Sequence, residues 1–283
     1  MTGRLVEFNA HDGLRLAASV WPGDAGRTPL LCLPGICRTA LDFAALATRH
    51  AGTRRVVALD YAGHGESARA TEPRRYRPEA LIRDVLDAMA ALHLHRVALV
   101  GTSFGGLAAM AIGTMRPAAL AAVVLNDIGP DIQPMGREAV VELVGSDPCF
   151  TSLDAATAWL RQRHPPLAAL DEAGWRDFTA RTYAEGNDGL WHPRWDIRVA
   201  QQAVGEAAGA PPDLWPFFGG LARLPILLVW GQESHLLNAD TVATMRRMKP
   251  DMRVVSLPGT GHAPTLEEPP AMAAIDGFLA ALP

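Results

Sequence analysis

Short apolar runs alternate along the chain with longer segments in which apolar positions recur every three or four residues. Runs of four to eight apolar or β-branched residues between polar turns are typical of buried strands, and the longer periodic segments are typical of helices. The predicted strands are Arg4–Asn9, Leu14–Trp21, Pro29–Leu33, Arg55–Leu59, Arg96–Val100, Leu120–Leu125, Pro225–Trp230 and Arg253–Leu257. The predicted helices are Leu41–Ala51, Pro78–Leu92, Phe104–Met115, Asp240–Met248 and Ala271–Ala281. Buried strands separated by helices indicate a parallel sheet that is covered on both faces.

The alternation stops after Pro130, and residues 131–221 hold helical fragments, many prolines and five of the seven tryptophans. These tryptophans are Trp159, Trp175, Trp191, Trp195 and Trp215. An aromatic segment inserted between two sheet strands predicts a helical cap at the carboxyl edge of the sheet, where ligands bind in such folds. Some of the tryptophans are expected to fill a small core within the cap.

The predicted fold is therefore α/β, with a mostly parallel, eight-stranded, doubly wound sheet. Residues 1–130 and 222–283 form this core, and residues 131–221 form the helical cap, inserted after the sixth strand. The first two strands are joined at His11-Asp12-Gly13, which favours an antiparallel hairpin. A chain of 283 residues, 49% of them apolar, is long enough to bury one large core beside such an insertion.

Charge and cysteine content narrow the classes of partner. The formal net charge of −4 provides no basic surface for nucleic acid or an anionic membrane. Val97–Met115 carries no charge, but it changes midway from β-branched to alanine-rich residues, so we interpret it as a strand and a helix rather than a membrane span. Cys32, Cys37 and Cys149 suit neither a disulfide framework nor a zinc site, and free thiols favour a reducing cytoplasm. We expect a cytoplasmic protein without a nucleic-acid or membrane partner, and the oligomeric state stays open.

The sequence VALVGTSFGG, residues 97–106, places Ser103 between glycines where a predicted strand passes into a helix. This G-x-S-x-G spacing is typical of a nucleophile elbow, a tight turn that strains the serine backbone and exposes its hydroxyl. Gly101 and Gly105 remove side chains that would collide at the neighbouring bends. A glycine-rich turn in an ordinary strand–helix unit is the alternative interpretation. Ser103 is the candidate nucleophile.

A serine nucleophile needs a base to accept its proton, and His262 is the candidate among nine histidines. It lies in LPGTGHAPTLEEP, directly after a predicted strand, so its loop reaches the same sheet edge as Ser103. The backbone N–H groups of Phe104, at the helix start, and of Ile36, in the loop LPGICR, are expected to stabilise an oxyanion. His64, in LDYAGHGES, is expected to be structural or to lie at the pocket rim.

Together these motifs resemble those of the α/β-hydrolase fold enzymes. The resemblance covers nearly the whole chain: the LPG loop, LDYAGHGES, the GTSFGG elbow, the segment after LNDIGP and the GHAPTLEEP loop. It implies hydrolysis through a covalent acyl-enzyme, without a metal or organic cofactor, and a serine–acid–histidine order that Ser103 and His262 fit. It implies no particular substrate, because this fold hosts many chemistries.

The acid of the triad is not at the position where this family usually carries it. That position lies three or four residues beyond Gly231 and holds Ser234 and His235 here. Glu233 lies one or two residues early, whereas Asp127, in VVLNDIGP, ends the strand beside the elbow unit, a place that some branches of the family use. We favour Asp127 because it requires no loop rearrangement. Glu233, or catalysis without an acid, stays open, and His235 is expected either to line the pocket or to lie on the surface.

The expected function is that of a serine hydrolase that cleaves a small or medium carboxylic ester, thioester or lactone. Its expected partner is that small-molecule substrate. Haloalkane dehalogenases and epoxide hydrolases of this fold need an aspartate nucleophile, which the elbow lacks. Carbon–carbon bond hydrolases and perhydrolases keep the serine and stay open. A non-catalytic member that only binds a small ligand also stays open, and the displaced acid is its main support.

Overall fold

The computed structural model describes residues 3–200, 202 and 212–283. The strands in this part of the chain are β1 (Arg4–Asn9), β2 (Arg15–Trp21), β3 (Leu30–Leu33), β4 (Val56–Asp60), β5 (Val97–Thr102), β6 (Leu120–Asn126), β7 (Tyr183–Glu185), β8 (Trp191–Pro193), β9 (Ile226–Gly231) and β10 (Arg253–Leu257). The helices that lie wholly within the described residues are α1 (Ala44–His50), α2 (Pro78–Ala91), α3 (Phe104–Met115), α4 (Pro134–Gly145), α5 (Leu153–Arg163), α6 (Glu172–Thr182), α7 (Trp215–Gly219), α8 (Ala239–Met248) and α9 (Pro269–Ala280). Part of the predicted cap, residues 201 and 203–211, lies outside the described residues.

Eight strands form one sheet in the order β1-β2-β4-β3-β5-β6-β9-β10. The pairs β1–β2 and β2–β4 are antiparallel, and every other neighbouring pair is parallel. The predicted eight-stranded, mostly parallel sheet and its opening hairpin are therefore confirmed. After β3 the chain adds β4 on one side, and later β5 on the other, so the order of strands reverses between β3 and β5. A reversal of this kind opens a crevice at the carboxyl ends of the strands.

Residues of each central strand alternate between two apolar cores, one on each face of the sheet. In β3, Leu31 and Leu33 belong to the core that is covered by α2 and α3. Leu30 and Cys32 belong to the core on the other face, which α1 and α9 cover. Because both faces of the sheet are buried, the central strands carry apolar residues at consecutive positions, which appear in the sequence as uninterrupted apolar runs.

The predicted helix Leu41–Ala51 begins differently in the structure. A 3-10 turn, Ala40–Phe43, precedes α1, because two side chains accept hydrogen bonds from the backbone N–H groups at its start. The Asp60 carboxylate accepts the Ala40 N–H at 2.7 Å. The Thr39 hydroxyl accepts the next N–H along the chain. These partners satisfy backbone donors that a regular helix start leaves unpaired.

The chain between β6 and β9 contains helices α4 to α7 and a separate β7–β8 ribbon. Trp175 and Trp195 are buried in the apolar core that this segment shares with the sheet. The Tyr76 hydroxyl donates to Asp196 Oδ2 at 2.7 Å and so ties the segment to the main sheet unit. Among the described residues no helix is long and apolar enough to cross a membrane. Val97–Met115 forms β5 and α3, as predicted.

Candidate active site

Ser103 lies between β5 and α3 with φ of 51° and ψ of −115°, in a region that residues with a side chain rarely occupy. A Cβ atom on Gly101 would lie 2.4 Å from the Gly105 carbonyl carbon, so the turn closes only with a glycine there. A Cβ atom on Gly105 would lie 2.1 Å from the Leu33 carbonyl oxygen. The second glycine is therefore needed for the approach of α3 to β3, a long-range contact that the local motif does not reveal. Ser103 lines a cavity at this edge of the sheet.

The structure brings His262 and Asp127 together. His262 Nδ1 lies 2.8 Å from Asp127 Oδ2, and the Asp127 side chain is fully buried. The other oxygen, Oδ1, accepts the Gly231 N–H at 2.9 Å. With its Nδ1–H donated to the carboxylate, the imidazole keeps Nε2 free to accept a proton. His262 lines the same cavity as Ser103.

Glu233 does not pair with His262 in this structure. Its side chain is exposed, and its backbone N–H donates to the Thr260 carbonyl at 3.0 Å. The last residue of β9, directly before the turn where the family usually carries its acid, contributes the Gly231 N–H that holds Asp127 in place. His235, on the same turn, is exposed and lines the cavity.

The loop after β3 carries Ile36 to the cavity beside Ser103. The buried His64 donates from Nε2 to the Ile36 carbonyl, and burial lowers the pKa of this imidazole. His64 therefore has a structural role, because its side chain binds the backbone of the loop that carries Ile36. Within the described chain, neither the Ile36 nor the Phe104 N–H donates to another protein group, so both donors remain available to an oxyanion.

The cavity has a volume of about 250 Å³ and lies between the sheet edge and helices α4 to α6. Apolar side chains of those helices form much of its wall. They are Ala139, Val140, Leu143, Trp159, Leu160 and Phe178. Among the described tryptophans of the predicted cap, Trp159 is the one that lines the cavity. A small apolar chamber that ends at a serine and a histidine suits a small organic ligand.

Arg38, which sequence reasoning did not single out, joins the Ile36 loop to α6. Its Nε donates to the Asp42 carboxylate at 2.6 Å, and Nη1 donates to the Thr182 hydroxyl. Its guanidinium lies 3.9 Å from the centre of the Phe178 ring. An arginine directly after the apolar LPGIC run was the available signal, because a charge in such a loop needs a buried partner.

His164 is a second cavity residue that the sequence did not indicate. Its Nδ1–H donates to the Pro165 carbonyl at 2.8 Å, and its ring meets the edges of Trp175 and Phe178. Burial lowers the pKa of this histidine to about 4, so its imidazole is neutral at pH 7. No sequence motif surrounds it, and its position follows only from the packing of α5 against α6.

One cluster of the described residues brings three potential metal ligands together: His11, Asp84 and Asp87. Arg75 already binds both oxygens of Asp84, at 2.6 and 2.9 Å. Asp87 pairs with His11 at 2.9 Å. The carboxylates of the cluster are thus already bound by protein groups, and none of its members lines the cavity.

A sequence model described as alpha/beta hydrolase fold matches residues 28–269, and the chain belongs to this family. It is 30% identical over 276 residues to a protein of Cupriavidus necator named 3-hydroxybutyrate-oligomer hydrolase, covering 93% of this chain and 92% of that one. It is 27% identical to 2-(acetamidomethylene)succinate hydrolase of Mesorhizobium japonicum, covering 84% and 83% of the two chains. A crystal structure of an alpha/beta hydrolase from Novosphingobium aromaticivorans superposes with a TM-score of 0.93 at 36% identity, covering 98% of each chain. Family and relatives together identify the chain as a hydrolase.

Proposed function

We propose that this protein is a serine hydrolase that cleaves a small carboxylic ester, with Ser103 as nucleophile, His262 as general base and Asp127 as the acid. The hydrogen bond between His262 and the buried Asp127, on a cavity that Ser103 also lines, carries the proposal. A buried carboxylate on Nδ1 is the arrangement that orients an imidazole for proton transfer and stabilises it once charged. A protein that only bound a ligand would have no use for that pair.

The reaction follows from these positions. Ser103 Oγ attacks the carbonyl carbon of the ester while His262 Nε2 takes its proton. The N–H groups of Ile36 and Phe104 stabilise the negative oxygen of the tetrahedral intermediate. The intermediate collapses to an acyl-serine, and His262 returns the proton to the departing alcohol. Water, activated by the same histidine, then releases the acid and restores the serine.

Short esters of hydroxy acids are the substrates that we propose first. The relative named 3-hydroxybutyrate-oligomer hydrolase aligns with nearly the whole chain. The volume of about 250 Å³ and the apolar wall suit a few short carbon chains better than a long acyl group. Thioesters and lactones present the same carbonyl chemistry and belong in the same assay.

The test combines a fluorophosphonate probe with a panel of esters. We expect the probe to label Ser103, located by mass spectrometry, and the protein to hydrolyse the linear dimer of 3-hydroxybutyrate and p-nitrophenyl butyrate. Ser103→Ala is expected to abolish labelling and to lower kcat by roughly 10⁴-fold or more. An unlabelled wild-type protein that turns over none of the esters or thioesters would refute the proposal and favour a ligand-binding role.

A further inference from the structure

Three arginines line the cavity, and acidic side chains balance two of them. Arg38 forms an ion pair with Asp42, whose carboxylate accepts its Nε–H at 2.6 Å. Arg181 meets Glu267 at 2.9 Å and Asp177 at 3.1 Å. These two guanidinium groups are bound within the protein and serve its structure.

The third arginine, Arg163, has no such partner. It is the last residue of α5, it is exposed, and in the part of the chain that the structure describes it forms no ion pair with a carboxylate. Its guanidinium lies 4.5 Å from the centre of the Trp159 ring, and both residues line the cavity. Stacking on an indole fixes the plane of a guanidinium but leaves its N–H groups, which point outward in that plane, unoccupied.

The other titratable groups of the cavity do not neutralise this charge. Glu142 lines the cavity from α4, is exposed, and forms no ion pair with Arg163. His164, the neighbour of Arg163 in sequence, is neutral at pH 7 because burial lowers its pKa to about 4. The cavity is also lined by Asp42, which pairs with Arg38, by the Cys37 thiol, whose pKa burial raises to about 11, and by His235 and His262. Among the described residues, Arg163 is therefore the arginine of the cavity that pairs with no carboxylate, and its donors stay available to a ligand.

We propose that Arg163 binds a carboxylate at the end of the substrate remote from the ester that Ser103 attacks. The substrates are then short esters that carry a free carboxylate, such as linear dimers of hydroxy acids, in preference to uncharged esters. A guanidinium offers two parallel N–H groups that match the two oxygens of a carboxylate, and this pairing is both strong and directional. The inference rests on the proposed function, because it takes the reacting bond to be an ester at Ser103.

The test compares the linear dimer of 3-hydroxybutyrate with its carboxamide, which has the same internal ester but no negative charge. We expect wild-type protein to favour the dimer in kcat/KM. Arg163→Gln is expected to lower the ratio of the two kcat/KM values by about tenfold, mainly through KM of the dimer, and Arg163→Lys is expected to lie in between. Taking the ratio removes any effect on the chemical step, since the bond cleaved is the same.

The matched control is Arg161→Gln. Arg161 is on the same helix and is exposed, but it pairs with Glu172 at 3.1 Å and does not line the cavity. Its replacement is expected to leave the ratio unchanged. An unaltered ratio in Arg163→Gln, with dimer hydrolysis intact, would overturn the carboxylate site and leave the serine hydrolase standing. Lack of Ser103 labelling and of any turnover would instead refute the proposed function.

A binding measurement gives the same preference a readout without turnover. In Ser103→Ala protein, calorimetry is expected to show tighter binding of the dimer than of the carboxamide. When Arg163→Gln is combined with Ser103→Ala, the difference in affinity between the dimer and the carboxamide is expected to disappear. Equal binding of the two compounds before the arginine is changed would contradict the proposal whatever the kinetics show.

Discussion

The two oxygens of Asp127 have different partners, and together these fix the orientation of the carboxylate. Oδ2 faces His262 and Oδ1 accepts the Gly231 N–H, so the group cannot rotate without losing one of them. The residue itself sits at φ of 54°, a conformation that aspartate tolerates better than most residues. The proposed acid is thus held by the end of the sheet rather than by a loop.

Asp127→Asn is expected to lower kcat by about 10³-fold or more, because an amide neither holds the reactive tautomer of His262 nor stabilises its charge. Steady-state kinetics on an ester that the wild type hydrolyses will measure this. Glu233→Gln, on the exposed turn, is the matched control and is expected to stay within about twofold of wild type. A large loss of kcat in Glu233→Gln with little change in Asp127→Asn would instead identify Glu233 as the acid.

His164 gives the protein a pH dependence of stability with a defined sign. Its pKa is about 4 when folded and about 6.5 when unfolded, so the unfolded chain binds the extra proton between these values. The free energy of unfolding therefore falls as the pH falls from 6.5 to 4, by up to about 3 kcal/mol. Urea unfolding at several pH values should show that His164→Asn flattens this slope. The exposed His95, changed in the same way, is the control.

Single residues could be predicted from the sequence where their role depends on local geometry. Ser103 is recognisable because the glycines beside it are needed by a turn a few residues long. The choice between Asp127 and Glu233 as the proposed acid was harder, because Asp127 and His262 are 135 residues apart and meet only through the order of the strands. Arg38 and His164 escaped notice, since their contacts with α6 depend on how the inserted helices lie on the sheet.

At the scale of elements, prediction succeeded where glycine, proline and apolar period mark a boundary. The bounds of α3 and β10 match the predicted ranges, because each lies between residues that end or begin the element sharply. The start of α1 was missed, since the turn before it depends on a carboxylate from β4, Asp60, which is distant in sequence. The local sequence pattern therefore predicts the presence of most helices and strands, and long-range hydrogen bonds determine where some of them begin and end.

The contact between α3 and β3 can be tested with one methyl group. Gly105→Ala places a Cβ atom against the Leu33 carbonyl, so the helix must shift, and we expect a loss of about 2 kcal/mol or more in the free energy of unfolding. Gly277→Ala is the matched control: it is exposed within α9, has open space around it, and should gain about 0.5 to 1 kcal/mol. Chemical denaturation will measure both. Equal effects of the two changes would mean that α3 does not require its close approach.

For the whole molecule, the inserted helices are joined to the sheet unit by polar ties as well as by apolar packing. Tyr76 reaches Asp196, and the Gly65 N–H donates to the Arg194 carbonyl at 2.8 Å. Arg38 makes the tie nearest to the site, since it follows the Ile36 loop directly and ends on α6. Arg38 therefore links the loop of the proposed oxyanion donor Ile36 to the helices over the cavity.

Arg38→Met is expected to lower kcat at least about tenfold, because small displacements of catalytic donors slow the reaction strongly. It is also expected to lower the free energy of unfolding by about 2 kcal/mol, because Asp42 keeps a partly buried charge without its partner. Kinetics and denaturant unfolding on the same samples will measure both. Arg161→Met, which removes an exposed ion pair between α5 and α6, is the control and should change neither quantity appreciably. Lost stability with unchanged kcat would show that the tie is purely structural.

The positions of the proposed triad residues in the fold also set the order in which they can come together during folding. Ser103 and Asp127 end neighbouring strands of one local strand–helix–strand unit, a unit that can form early because its contacts are short in sequence. His262 arrives on the loop after β10, and it meets Asp127 only when β9 has joined β6 and β10 has joined β9. During refolding, hydrolysis should therefore appear only in molecules whose parallel sheet is fully assembled. A chain in which β9 and β10 have not yet joined the sheet would hold the proposed nucleophile and acid without the proposed base.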